Sequence, residues 1–153
     1  MENKTNTPHI QKMELIERIN FMTFCLSHPE IIVKKQSQLM KGAKWDFLII
    51  SGSTNMIVDV KNRSYDPSDM GFWVEKNKYE ALRELANKAT KETSQPHIPF
   101  MCYITPRAVY FVNLNEITPE WSWTKSWTDS TREKEQFDLI YTIPPHHNIK
   151  IKK

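Results

Sequence analysis

Asp46, Asp59 and Lys61 lie in the run KWDFLIISGSTNMIVDVKNRS (44–64), two acids and a base set among Phe47, Leu48, Ile49, Ile57 and Val58. Strands this apolar belong inside a sheet, where a charge costs stability unless it is paired or functional. Side chains alternate along a strand, so Ile57, Asp59 and Lys61 share one face and Met56, Val58 and Val60 the other. SGST (51–54) reads as the four-residue turn of an antiparallel hairpin. Ile50 then faces Asn55, and counting back sets Asp46 opposite Asp59, with Cβ atoms about 4.5–5.5 Å apart. Ionised carboxylates that close repel each other. A divalent cation relieves the repulsion, and Mg²⁺ or Mn²⁺ takes carboxylate oxygens together with water and phosphate. Water on such an ion is more acidic and can attack phosphorus. A neighbouring lysine can orient that water or stabilise developing charge. An exposed ion pair at a sheet edge is the plain alternative; it is worth only about 0–1 kcal/mol and suits polar alternation better than these apolar flanks.

The elements that must position these residues follow from periodicity. Residues 12–28 read as a helix, with Leu15, Ile19, Met22 and Leu26 stacked on one face and Phe21 and Phe24 widening it, which predicts a well-buried helix ended by Pro29. Residues 1–11 read as a flexible lead. EIIVKKQ (30–36), WDFLII (45–50) and NMIVDVKN (55–62) read as strands. A loop covers 63–74. A second helix covers about 75–92, with Tyr79, Leu82, Leu85, Ala86 and Ala89 on its apolar face. FMCYIT (100–105) and AVYFVNL (108–114) form another strand pair around the turn PR. FDLIYTI (137–143) suits a short strand or helix. TPEWSWTKSWTDSTREKEQ (118–136) gives no clear period. No repeat occurs. Helices over a mixed sheet make an α/β architecture.

Asp46, twelve residues, then Asp59-Val60-Lys61 resembles the motif of the PD-(D/E)XK nuclease superfamily. That group includes restriction endonucleases, archaeal Holliday-junction resolvases and phage nucleases. The element order over about residues 13–114 is similar to its restriction-endonuclease-like αβββαβ core, with a central mixed sheet flanked by helices. The resemblance implies a metal-dependent DNA endonuclease that hydrolyses phosphodiester bonds, either structure-selective on junctions or branches or weakly sequence-specific. It implies that Asp46 and Asp59 hold Mg²⁺ or Mn²⁺, that the Val60 carbonyl joins them, and that Lys61 acts on the water. Members often carry a first-helix Glu that reaches the metal. Glu17 in LIERI is the candidate and Glu14 the second choice; a solvent-facing role suits Glu17 as well. A helix Lys after the triplet corresponds to Lys78, which also reads as a solvated lysine, although it precedes Leu82 by four residues and so faces the sheet. The chain departs from the motif in having Trp45 where the Pro stands, and Asp rather than Glu in the triplet.

Bulk properties bound these readings. The 153 residues suit one nuclease-like domain (1–153), with 115–153 a C-terminal extension. With only 3 Gly, no glycine-rich phosphate loop is present. A net charge of +3 permits a DNA partner without demanding one. Lys34, Lys35, Lys41 and Lys44 flank the motif and Lys150, Lys152 and Lys153 end the chain, as solvated surface or as backbone-tracking charge. Arg63 follows the triplet and, with Lys44 and Lys78, is a candidate phosphate contact; Tyr65, Asp66 and Asp69 continue that loop. Trp121, Trp123 and Trp127 could stack bases or pack in a core or interface. Cys25 and Cys102 form no C-x-x-C pair and read as buried free thiols in a reducing compartment. The five His make no zinc pattern. No apolar run spans a membrane and no secretory signal is evident, which predicts a cytoplasmic protein. Size and the superfamily's habits suggest a homodimer. A non-catalytic nucleic-acid-binding protein, or a structural or interaction protein on the same fold, is the alternative.

Overall fold

Gly52 sits at φ +63°, the first central position of a two-residue turn whose flanks, Ser51 and Thr54, pair directly. This left-handed start suits glycine and matches the twist of a hairpin. In the computed structural model, which describes residues 8–37, 44–65, 71–125 and 137–153, the turn joins β2 (Phe47–Ser51) to β3 (Thr54–Asn62). Ile50 faces Asn55, in the register expected from the sequence.

The remaining elements are α1 (Pro8–Leu26), β1 (Ile31–Gln36), β4 (Phe72–Glu75), α2 (Lys76–Thr93), β5 (His97–Ile104), β6 (Ala108–Asn113), β7 (Ser122–Lys125), β8 (Phe137–Ile143) and β9 (Asn148–Lys152). A six-stranded mixed sheet runs β1-β2-β3-β5-β6-β9, and β4-β8-β7 form a second sheet. β3 and β5 are parallel, with α2 in the connection between them; the other pairs are antiparallel. Among the described residues the protein is thus mixed α/β, with two α-helices and a mixed sheet.

β3 is central, and its alternation feeds two cores. Met56, Val58 and Val60 pack with Phe21 and Phe24 of α1, Phe47, Phe100 and Phe111. On the other face Ile57 packs with Tyr79, Leu82 and Ala86 of α2 and with Phe72, Val74 and Ile143 of the second sheet. Cys25 and Cys102 are buried and free, as expected, and burial pushes the Cys25 thiol up to about 11.

Several expectations change. The first helix begins at Pro8, inside the expected lead, and it is not well buried all round. It buries Arg18, Phe21, Phe24 and Cys25, and leaves the expected core row outside: Leu15, Ile19, Met22 and Leu26 are all exposed, Leu26 at 85%. Both faces of this helix are apolar, and the sheet takes the aromatic one because Phe47 and Phe111 present rings to it, with Phe21 4.7 Å from Phe47. β4 occupies the end of the expected 63–74 loop and the first residue of the expected helix, and β7 lies inside the unassigned stretch. The lysine-rich end forms β9, whose Ile149 and Ile151 pair with Phe111 and Val109. Trp121 packs edge-on against Tyr79, whereas Trp123 is 69% exposed. Lys41, Asp66, Asp69 and Trp127 lie outside the described residues. Among the described residues no helix is long and apolar enough to cross a membrane.

The reversed helix face can be tested by urea denaturation. In dilute solution Phe21→Ala should cost about 3–5 kcal/mol, the usual cost of emptying an aromatic core position. Leu26→Ala should stay within about 0.5 kcal/mol of wild type, as surface changes do. Equal losses in both variants would contradict the assignment.

Candidate active site

The regular β2–β3 ladder stops where Phe47 faces Val58. Beyond it the Asp46 amide donates to the Val58 carbonyl as well, at 2.9 Å. Asp46 and Phe47 thus oppose one residue, a bulge-like step that re-aims the Asp46 side chain. The expected strict opposition of Asp46 and Asp59 gives way to a tighter arrangement. The Asp46 carboxylate turns into the gap past the end of β2, and its Oδ2 accepts the Val60 N–H at 2.8 Å. Alternation turns the Val60 carbonyl to the same side. The two carboxylates remain close enough to perturb each other's ionisation.

Asp59 ends the apolar run of β3 and is 3% exposed. Lys78, from the first turn of α2, places Nζ 3.2 Å from Asp59 Oδ1 and also donates to the Lys44 carbonyl at 3.5 Å. Lys61 Nζ stands 3.7 Å from Asp59 Oδ2, beyond hydrogen-bond length. Asp59 Oδ2 is therefore a buried carboxylate oxygen that takes no hydrogen bond from a nitrogen donor.

α1 delivers two neighbouring residues from the other side. Glu17 accepts the Asn62 N–H at 2.7 Å, which places it at the cluster rather than in solvent. Glu14, the second choice, is only partly buried. Arg18 is 3% exposed and was not foreseen. Its guanidinium reaches Asp46 Oδ1 at 3.0 Å and donates to the Ser37 hydroxyl at 2.8 Å and to the Ser37 carbonyl. Ser37 Oγ in turn donates to the Trp45 carbonyl at 2.6 Å. One side chain thus ties α1 to the end of β1 and the start of β2. Arg18 shares a helix face with Phe21 and Cys25, at steps of three and four, and that row was the available signal.

Arg63 lies at the margin. It donates to the Asn62 carbonyl at 2.8 Å and sits over Trp73 and Tyr103, at 6.0 and 5.8 Å from the ring centres. Lys44 is exposed and gives the cluster its carbonyl. The fold therefore brings together Glu17, Asp46, Asp59, Val60, Lys61 and Lys78, and adds Arg18.

Three acids face three bases here, and ionisation follows from their placement. Burial, reinforced by the Asp59 charge, pushes the Asp46 carboxyl up to about 7 despite the Val60 N–H, Lys61 and Arg18. Burial also opposes charge on Asp59, but Lys61, Lys78 and a hydrogen bond from the Asp46 carboxyl outweigh it and hold this carboxyl below its ordinary value. Burial raises Glu17 as well. The Asp59 charge holds Lys61 protonated. Below neutral pH the aspartate pair thus carries close to a single negative charge.

Among the described residues no three His, Cys, Asp or Glu side chains gather closely enough to form a metal cage. Two carboxylates with a backbone carbonyl nevertheless suit Mg²⁺, which keeps several waters rather than seeking an all-protein cage. An ionised carboxylate has about four lone-pair sites, so Asp46 retains acceptor capacity beyond Arg18 and the Val60 N–H. Asp59 Oδ2 is buried with no nitrogen donor, and Arg18 Nε and Asn62 Oδ1 are buried without hydrogen-bond partners, as are both polar side-chain atoms of Asn148 on β9. The sequence matches no family model, and no curated protein matches it significantly.

The aspartate pair sets a pH dependence. A carboxyl raised in the folded chain from 3.8 to about 7 binds its proton more tightly folded than unfolded. Its contribution is then most favourable below the unfolded value and is lost as pH rises through the folded one. Glu17 acts in the same sense. The urea midpoint of metal-free protein should fall between about pH 5 and pH 8, and Asp46→Asn should flatten that slope. A midpoint that rises across this window, or an unchanged slope in the variant, would contradict the assignment.

Proposed function

We propose that the chain is a metal-dependent DNA endonuclease of the PD-(D/E)XK kind, built on that superfamily's αβββαβ core. One observation carries the reading: Asp46, Asp59 and Lys61 meet near the end of the central strand, and a buried Asp59 oxygen there takes no hydrogen bond from a nitrogen donor. Asp46, Asp59 and the Val60 carbonyl would hold Mg²⁺ or Mn²⁺. The bound ion would make its water more acidic and offset phosphate charge.

The chain's own groups prepare that chemistry. Lys78 keeps Asp59 ionised and fixes its direction. Arg18 and the Val60 N–H orient Asp46. Lys61 holds a positive charge beside the reacting phosphate, where negative charge builds in the transition state. Glu17 anchors the end of β3 through the Asn62 amide and serves the outer shell of the site. Arg63 and Lys44 flank the site as phosphate contacts, which makes binding salt-sensitive.

A second reading has its own support. Both Asp46 oxygens already have partners, and the formal charges balance without a cation. The same fold would then bind nucleic acid without cutting it.

A cleavage assay separates the two. Linear duplex, single-stranded, nicked and four-way-junction DNA would be offered with Mg²⁺, Mn²⁺ or EDTA. The nuclease reading expects metal-dependent cutting that falls about a hundredfold or more in Asp59→Ala and in Lys61→Ala, the scale for removing an electrostatic catalytic group. The preferred substrate names the subclass. Salt-dependent binding with no cutting in any metal supports the second reading.

A further inference from the structure

The outward face of α1 is apolar over its described length. Leu15, Ile16, Ile19, Met22 and Leu26 are 45, 43, 53, 37 and 85% exposed, with Thr23 beside them. Among the described side chains of this helix (12–26), Lys12 is the only exposed charge. A helix face turned to water normally carries charged and polar residues. Here the polar groups Glu17 and Arg18 are turned inward to the site, and the apolar row is left outside.

The row has the spacing of a helix seam. Leu15, Ile19, Met22 and Leu26 recur at four, three and four residues, the alternation by which one helix packs along another. We propose that this face is a two-fold interface with a second copy of this chain, α1 lying antiparallel on α1. The antiparallel sense follows from charge. Seam residues pair about a centre between Ile19 and Met22, so Leu15 of each copy meets Leu26 of the other. Lys12 of each then lies at the end where the other presents Glu30, exposed just past Pro29. A parallel pairing would set Lys12 against Lys12 and align the helix dipoles unfavourably.

The area is sufficient. Five side chains at these exposures leave on the order of 500 Å², at the upper end of what a monomer shows in one patch. A two-fold contact removes it from both copies, on the order of 1,000 Å² in all, the lower bound for a specific interface. The same surface repeated on both copies is what a two-fold interface requires. The inference does not depend on the nuclease reading, because the interface lies on the face of α1 turned away from the site.

Sedimentation equilibrium of the full chain tests it. Wild type should reach twice the chain mass at micromolar concentrations. Ile19→Glu and, independently, Leu26→Asp should raise the dimer dissociation constant at least tenfold, with circular dichroism spectra and urea midpoints like those of wild-type monomer. Neither position lies in the core, so either variant alone can carry the test. Lys12→Glu should weaken the dimer, and Lys12→Glu with Glu30→Lys should restore it. A wild type that stays monomeric at 100 µM overturns the proposal; if that monomer also floats with lipid vesicles, the face belongs to a membrane surface. A dimer indifferent to both seam variants places the contact elsewhere and overturns it too. Failure of the charge swap to restore association overturns the antiparallel pairing.

Discussion

A carboxylate with almost no access to water stands near the end of the central strand, and much of the chain is arranged around it. An isolated ionised Asp59 at this depth would be too costly to keep, so it must be paired or lose its charge. Lys61 comes from the same strand two residues on and needs no further architecture. Lys78 does. Its ammonium reaches Asp59 only because α2 starts immediately after β4 and lies across the sheet with Tyr79, Leu82 and Ala86 buried beneath it. The packing of α2 and the ionisation of Asp59 are therefore one constraint.

The second acid obeys a different logic. Asp46 has a cation, a backbone donor and a carboxylate neighbour, and burial with that neighbour wins: its carboxyl is the one that holds a proton towards neutral pH. The pair is asymmetric because the two lysines side with Asp59 and the arginine with Asp46. Three acids and three cations thus balance formally here, with Lys61 Nζ beyond hydrogen-bond length of Asp59 Oδ2 at 3.7 Å.

Much of this was legible in the sequence. Period-two alternation gave β3 and put Asp59 and Lys61 on one face, and the Gly52 turn gave the register. The four-residue step from Lys78 to Leu82 pointed that lysine at the sheet, although a solvated lysine read as well there. What was hidden depended on tertiary choice. The first helix is apolar on two faces, and nothing within it says that rings on β2 and β6 will prefer Phe21 and Phe24 to Leu15 and Ile19. Arg18 was hidden with that face, since a charged residue in an unrecognised core row looks like surface. The bulge at Asp46 follows from where β2 ends, which an alternating pattern does not specify. β4, β7 and β9 are short, and β9 alternates Ile with Lys, so a paired edge strand reads as a solvated tail.

Calorimetric titration of Mn²⁺ into metal-free protein tests the central claim directly, because it reads the cation itself and needs no substrate. If Asp46 and Asp59 form the metal site, wild type binds one ion per chain, and Asp59→Asn, which keeps the shape and removes the charge, abolishes that binding while the protein stays folded. No binding by wild type, or binding that survives Asp59→Asn, would show that the aspartate pair is balanced by Arg18, Lys61 and Lys78 alone.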